Sequence, residues 1–175
     1  MTPPSGMQPT DTEVTSAALA QLDRLQTLFG RVEGKASFLF AVDLALLGSV
    51  AVATPFGAVG SPAGMSGLIA TVLLGFSMIN LCAAFYPHLK NPRASVLYFA
   101  DIARLSAEEY RARIRGGTPA EVADDALCQV WRNARILDKK FNRSRSAFLL
   151  AAAAIPFWLA LLGIGVAEGG KLPLP

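Results

Sequence analysis

Charge is scarce in this chain: Asp, Glu, Lys and Arg make up 17% of its 175 residues, and three stretches hold almost none. Residues 36–54 carry one charge, Asp43, and residues 65–85 and 147–167 carry none. Each run is close to the ~20 residues that carry a helix across a ~30 Å hydrocarbon layer. Three such runs argue against the alternative of buried helices in a soluble bundle, which would demand a larger soluble shell. Cysteine and histidine are equally sparse. Cys82 and Cys128 fit neither a disulfide framework nor a zinc spacing, and the lone His88 cannot build a metal site. Cys82 reads as a packing residue of the second run, and Cys128 as a free cytosolic thiol. There is no Gly-rich phosphate loop ahead of a lysine and no nucleophile beside a base, so no catalysis and no cofactor are expected. The first 30 residues are polar and acidic, without the basic start and short apolar stretch of a secretory leader.

What is present is an uneven distribution of cations. Between His88 and Arg145 lie twelve of the sixteen Lys and Arg residues against seven carboxylates. Basic residues collect on the cytoplasmic side of membranes, so this segment is expected inside. The connection at 55–64 has no charge at all and is expected outside. The fold class that follows is an all-α membrane protein, with three transmembrane helices and a helical cytosolic domain between the second and third. In order, the reading is a disordered tail (1–10), a cytosolic amphipathic helix (11–35), the first span (36–54), an external loop (55–64) and the second span (65–85). A basic cytosolic domain (86–146), the third span (147–167) and an external tail (168–175) complete it.

Finer signals sit within this frame. Ala18, Leu22, Leu25, Phe29 and Val32 make an apolar stripe, suited to packing on the basic segment or to self-association. The pattern of Val96, Phe99 and Ala103 predicts an amphipathic helix over 95–105. Ser106 with Glu109, and Thr118 with Pro119 and Glu121, read as two capping boxes separated by a stop at Gly116-Gly117. From Pro119 nothing breaks the helix before Pro156, so one long helix is expected to run from the basic segment into the third span. Ala126, Val130, Ala134, Leu137 and Phe141 would form its apolar face. Asp124 and Asp125 read as first-turn charges favoured by the helix dipole.

Asp43 is the sharpest single residue. A carboxylate inside a membrane helix costs roughly 2.5–3.5 kcal/mol on insertion scales, so it should be protonated, paired or turned to a polar interior. Asn80, or Asp43 of a second copy, is the expected partner, in a pore-lining, assembly or packing role. Gly48, Ser49, Gly75 and Ser77 would allow close helix approach. The basic clusters, Arg111/Arg113/Arg115 and Arg132/Arg135/Lys139/Lys140/Arg143/Arg145, suit two tasks. They attract anionic headgroups, or they fork around the phosphate of a ligand. Nucleic acid is not expected, because few aromatic residues interleave with the later cluster.

Lys35-Ala36-Ser37 opening the first run, Ser95-Val96-Leu97-Tyr98-Phe99-Ala100-Asp101-Ile102, Ser106-Ala107-Glu108-Glu109-Tyr110, and Lys139-Lys140-Phe141 before the last run resemble the Pycsar transmembrane effectors of bacterial anti-phage defence. The likeness covers roughly residues 31–162. Where that pattern has an acidic residue shortly before the lysine, this chain has Glu33. The resemblance implies a multi-pass protein of the bacterial inner membrane, with its N-terminus cytoplasmic. It implies a partner pyrimidine cyclase that makes cyclic CMP or cyclic UMP on infection, and an effector that then impairs the membrane and aborts the infection. A homo-oligomer is expected. A cyclic nucleotide's phosphate would be read by Arg132, Arg135 and Lys139, or else around Arg93, Tyr98 and Arg111. Related domains also occur fused to phosphohydrolases, so the competing reading is a membrane anchor or scaffold for a cytosolic enzyme.

Overall fold

The computed structural model describes residues 9–54, 60–86 and 94–167. The tail at 1–8, the connection at 55–59, the segment 87–93 with Arg93, and the tail 168–175 lie outside the described residues. Five helices and no strand occur among those described: α1 (Asp11–Ala53), α2 (Pro62–Phe85), α3 (Phe99–Ile102), α4 (Ala107–Gly116) and α5 (Pro119–Ala167). Three of them, α1, α2 and α5, are long and apolar enough to cross a membrane. The chain divides into two compact units, one of Met1–Gly30 and Pro87–Asp138, the other of Arg31–Tyr86 and Lys139–Pro175. Helices α1 and α5 contribute to both.

The second unit is a three-helix bundle built in layers. Ala36, Leu81 and Ala147 meet at one end; Leu74, Ala151 and Ala154 form the middle; Val50, Ala63, Ala70 and Leu161 close the other end. The bundle portions of α1 and α5 thus begin at the layer where α2 ends, so within this unit the helices run up, down and up. Alanine dominates the interior, as expected where helices associate by close packing without a hydrophobic drive between them. The large side chains face outward: Phe38 is 73% exposed, Ile79 62% and Phe148 61%. Buried alanines beneath exposed phenylalanines invert the arrangement of a water-soluble core and match a bilayer as solvent. Cys82 also faces outward and is not a packing residue. Helix α5 continues through Pro156, as membrane helices often do. Close helix approach occurs at Gly67, where a β-carbon would collide with the Thr54 side chain, whereas Gly48 and Gly75 face open space.

In the first unit the expected stripe on α1 is present. Ala18 and Leu25 are buried and Leu22 and Phe29 half-buried, while Gln21, Asp23, Arg24 and Gln26 are exposed. Both capping boxes form. Ser106 Oγ accepts from Glu109 N, and Glu109 returns a carboxylate oxygen to Ser106 N. Thr118 and Glu121 repeat the exchange. Those backbone bonds hold the Glu109 and Glu121 carboxyls below the ordinary value of 4.5. Because their folded pKa values are depressed, this capping is fully present above the unfolded value and is lost as pH falls through the lowered one.

Three expectations are corrected here. The helix expected over 95–105 shrinks to Phe99–Ile102, because side chains occupy the backbone that would have started it. Ser95 Oγ accepts from Leu97 N and Tyr98 N, and Asp125 Oδ2 accepts from both Ser95 Oγ and Val96 N, each near 3 Å. Asp101 takes Ser95 N at 3.1 Å. Such local bonds compete directly with helix formation. Asp125 is therefore an anchor for this segment and not a dipole charge. On α5, Ala134 and Phe141 are exposed, while Gln129 and Lys140 are buried in their place.

Lys140 is buried because it has a partner: its Nζ lies 2.6 Å from Glu33 Oε1. The lysine side chain is 11% exposed and the glutamate 49%, which makes the two halves of the pair unequal. Glu33→Gln leaves a buried ammonium without its carboxylate; Lys140→Met leaves only a half-exposed carboxylate. A buried pair broken on one side costs about 3–5 kcal/mol, and solvent at Glu33 lowers that. Thermal unfolding in detergent should therefore show Glu33→Gln destabilised by about 1–3 kcal/mol and Lys140→Met by clearly less. Equal losses would mean that the burial of Lys140 has no energetic consequence.

Candidate functional site

The membrane-length bundle holds a polar centre. Asp43, on α1, is completely buried, and its Oδ2 lies 2.5 Å from Ser77 Oγ on α2. Ser77 Oγ also lies 2.9 Å from the carbonyl oxygen of Ala147 on α5. One hydroxyl has a single proton and here faces two acceptors. Both contacts are hydrogen bonds when the Asp43 carboxyl carries a proton and donates it to Ser77, which donates its own to Ala147. The remaining Asp43 oxygen, Oδ1, is buried and has no hydrogen-bond partner among the described residues. Asn80, expected as the partner, instead donates Nδ2 to Phe76 O one turn back on its own helix. Ser77 was legible only as a small residue; its hydroxyl proves to be the tie among three helices. Ser49 behaves similarly, accepting from Trp158 Nε1 at 2.7 Å.

At the same end of this bundle as Ala36 and Ala147, the cations are unequally engaged. Lys140 is tied to Glu33, and Arg143 Nη1 donates to Ala83 O on α2. Lys139 is exposed. Membrane hydrogen bonds average only about 0.6 kcal/mol each, so the Arg143 contact specifies register more than it stabilises.

In the other unit, the structure brings Arg132 and Tyr98 together: the guanidinium lies 4.3 Å from the ring centre. Tyr98 in turn meets Phe99 edge-on at 5.0 Å, and Phe99 is 65% exposed. Arg135 stacks on Trp131, one turn back on its own helix, at 4.9 Å. Lys139 belongs to the second unit, and Arg111 is exposed on α4. A cavity of about 460 Å³ beside Val96 is lined by Glu121, Asp124 and Asp125 against a single cation, Arg113. Three carboxylates repel a phosphate, so this cavity does not suit an anionic ligand. The Tyr98–Arg132 pair is the better-built contact for an anionic, aromatic ligand, since guanidinium suits phosphate and an exposed phenylalanine suits a base.

All-helical throughout its described residues, with three helices long and apolar enough to span a bilayer and a bundle turned inside out, the chain has the build of a multi-pass membrane protein. The family model of the Pycsar effector protein domain matches residues 17–167, and the chain belongs to that family. Membership gives it a role in Pycsar anti-phage defence and implies a pyrimidine cyclase as its partner system. No curated protein and no solved structure matches the chain.

Proposed function

We propose that this protein is the membrane-acting effector of a Pycsar system, switched on by cyclic CMP or cyclic UMP and impairing the inner membrane without catalysing a reaction. The observation that carries the reading is the family match over a chain whose bundle exposes phenylalanine and buries Asp43. A bundle with a polar centre has something to expose when its helices part. Co-expression with a pyrimidine cyclase, following uptake of a membrane-impermeant dye, tests it. Dye entry that needs both proteins supports an effector. Intact membranes with the cyclase retained at the membrane would favour an anchor for a partner enzyme.

The charge distribution supports a cytoplasmic N-terminus, with the basic segment inside and residues after Ala167 outside. A reporter at Gly116-Gly117 should be cytosolic and one after Pro175 external. Both on one side would remove the three-span topology.

For the ligand, Arg132 is the first candidate for the phosphate, with Tyr98 and Phe99 beside it and Arg135 and Lys139 further along α5. A ligand shifts an equilibrium only through contacts that differ between two states. The helices common to both units, α1 and α5, are the covalent route from such a site to the bundle. Replacing Arg132, Arg135 and Lys139 together by Gln should weaken cyclic nucleotide binding at least about tenfold, using the 1.5–3 kcal/mol of a hydrogen bond to a charged group as the scale. Insertion should persist, because Lys90, Arg93, Arg111, Arg113 and Arg115 keep the positive bias. Unchanged affinity, measured by calorimetry, would move the site elsewhere.

A further inference from the structure

A second site lies where α1 and α5 enter the membrane-length bundle. A cavity of about 750 Å³ opens between them, and its lining includes Lys35 and Arg145 together with Phe38, Leu39 and Phe148. Its size falls within the range of about 300–1,000 Å³ typical of small-molecule sites. The two cations stand just before the apolar runs of their helices, and Phe38 and Phe148 each follow a cation by three residues. Neither Lys35 nor Arg145 makes a hydrogen bond or ion pair among the described residues, whereas Lys140 and Arg143 nearby do. Ser144 Oγ, also on the lining, is shielded and has no hydrogen-bond partner among the described residues. Two cations, an unsatisfied hydroxyl and three large apolar side chains lining one cavity describe one amphiphilic occupant.

We infer that this cavity binds an anionic phospholipid of the bilayer. Its phosphate lies between Lys35 and Arg145, within reach of Ser144, and an acyl chain runs along Phe38, Leu39 and Phe148. A second copy of the chain fits less well. It would have to bring carboxylates to this depth, but Glu33 is bonded to Lys140 and Asp43 is buried inside the bundle. A cyclic nucleotide has no apolar tail for the phenylalanines. The site is separate from the proposed nucleotide contacts at Tyr98 and Arg132, and its test does not depend on them.

The full chain, purified in detergent, is offered equal dioleoyl phosphatidylglycerol and dioleoyl phosphatidylcholine, and retained lipid is read by native mass spectrometry. The phosphatidylglycerol should be preferred. A Lys or Arg near an anionic surface is worth about 1 kcal/mol, or about fivefold, so Lys35→Gln with Arg145→Gln should reduce the preference by more than tenfold. Arg113→Gln with Arg115→Gln removes the same charge from α4 and should leave the preference intact. Equal loss in both variants, or no loss in the first, overturns the site. A photoreactive phosphatidylglycerol on the unmodified chain should label residues 32–39 and 141–148; labelling confined to other segments overturns it without any variant. Quantitative disulfide linkage between copies through Phe148→Cys, in either lipid, would give the cavity to a second copy.

Discussion

Asp43→Leu should insert as well as the native protein or better, yet lose cyclase-dependent dye uptake. The structure supplies the reason. In the closed bundle Asp43 is wholly buried, one of its oxygens lacks a partner, and the other depends on a single serine. That arrangement costs free energy, which water would relieve when the helices separate and the carboxyl becomes solvated. Leucine removes the cost of the closed state and leaves the open state nothing to gain. Ser77 keeps its bond to Ala147 O, so the bundle is not left with a new orphan. Intramembrane polar contacts measured elsewhere average about 0.6 kcal/mol and reach about 1.7 kcal/mol, which shifts a two-state equilibrium about three- to eighteen-fold. Asp43→Asn keeps the shape and the hydrogen bond to Ser77 but cannot ionise, and should fall between the two. Unchanged permeabilisation by the leucine variant at equal expression would reduce Asp43 to packing.

Loss of the Asp125 anchor should have the larger effect on the other unit. One carboxylate oxygen holds Ser95 Oγ and Val96 N, and the same serine organises Leu97 N and Tyr98 N. Asp125→Ala removes two charge-assisted hydrogen bonds and leaves a buried serine, 3% exposed, without its acceptor. The expected cost is about 2–4 kcal/mol, from 1.5–3 kcal/mol per charged bond discounted for partial exposure. Amide exchange should rise across residues 95–102. Cyclic nucleotide binding should fall with it, because Tyr98 would no longer be held beneath Arg132. Asp125→Asn keeps an acceptor and should retain most of the protection. Native exchange rates in the alanine variant would show that the segment is held by other means.

These two residues also mark where the sequence was readable and where it was not. The three membrane-length helices were legible because long runs with almost no charge leave few alternatives, and both capping boxes because their bonds are local. The stripe on the first helix was legible from its period. Asp43 was singled out by what a carboxylate costs in a membrane, but its partner was not: Ser77 and Asn80 are one helical turn apart, and spacing along α2 does not say which faces α1. Asp125 was misread for a related reason. Its bonds reach back 29 and 30 residues in the chain, and the segment they hold has a helical pattern that side-chain bonds override. Lys140 looked like one cation among six, until Glu33, 107 positions earlier, was found beside it. The resemblance carried the family; the pairing of Tyr98 with Arg132, its two members named for alternative sites, came only from the coordinates.

The central claim is that a cyclic pyrimidine nucleotide acts directly on this protein to breach a membrane. The full chain, reconstituted in liposomes loaded with a self-quenched dye, isolates that step from every other cellular factor. Addition of cyclic CMP or cyclic UMP should release dye within the lifetime of the bound complex, with little release by the linear 5′-monophosphates and reduced release from Asp43→Leu. Liposomes that hold folded, inserted protein and remain sealed with both cyclic nucleotides would contradict it.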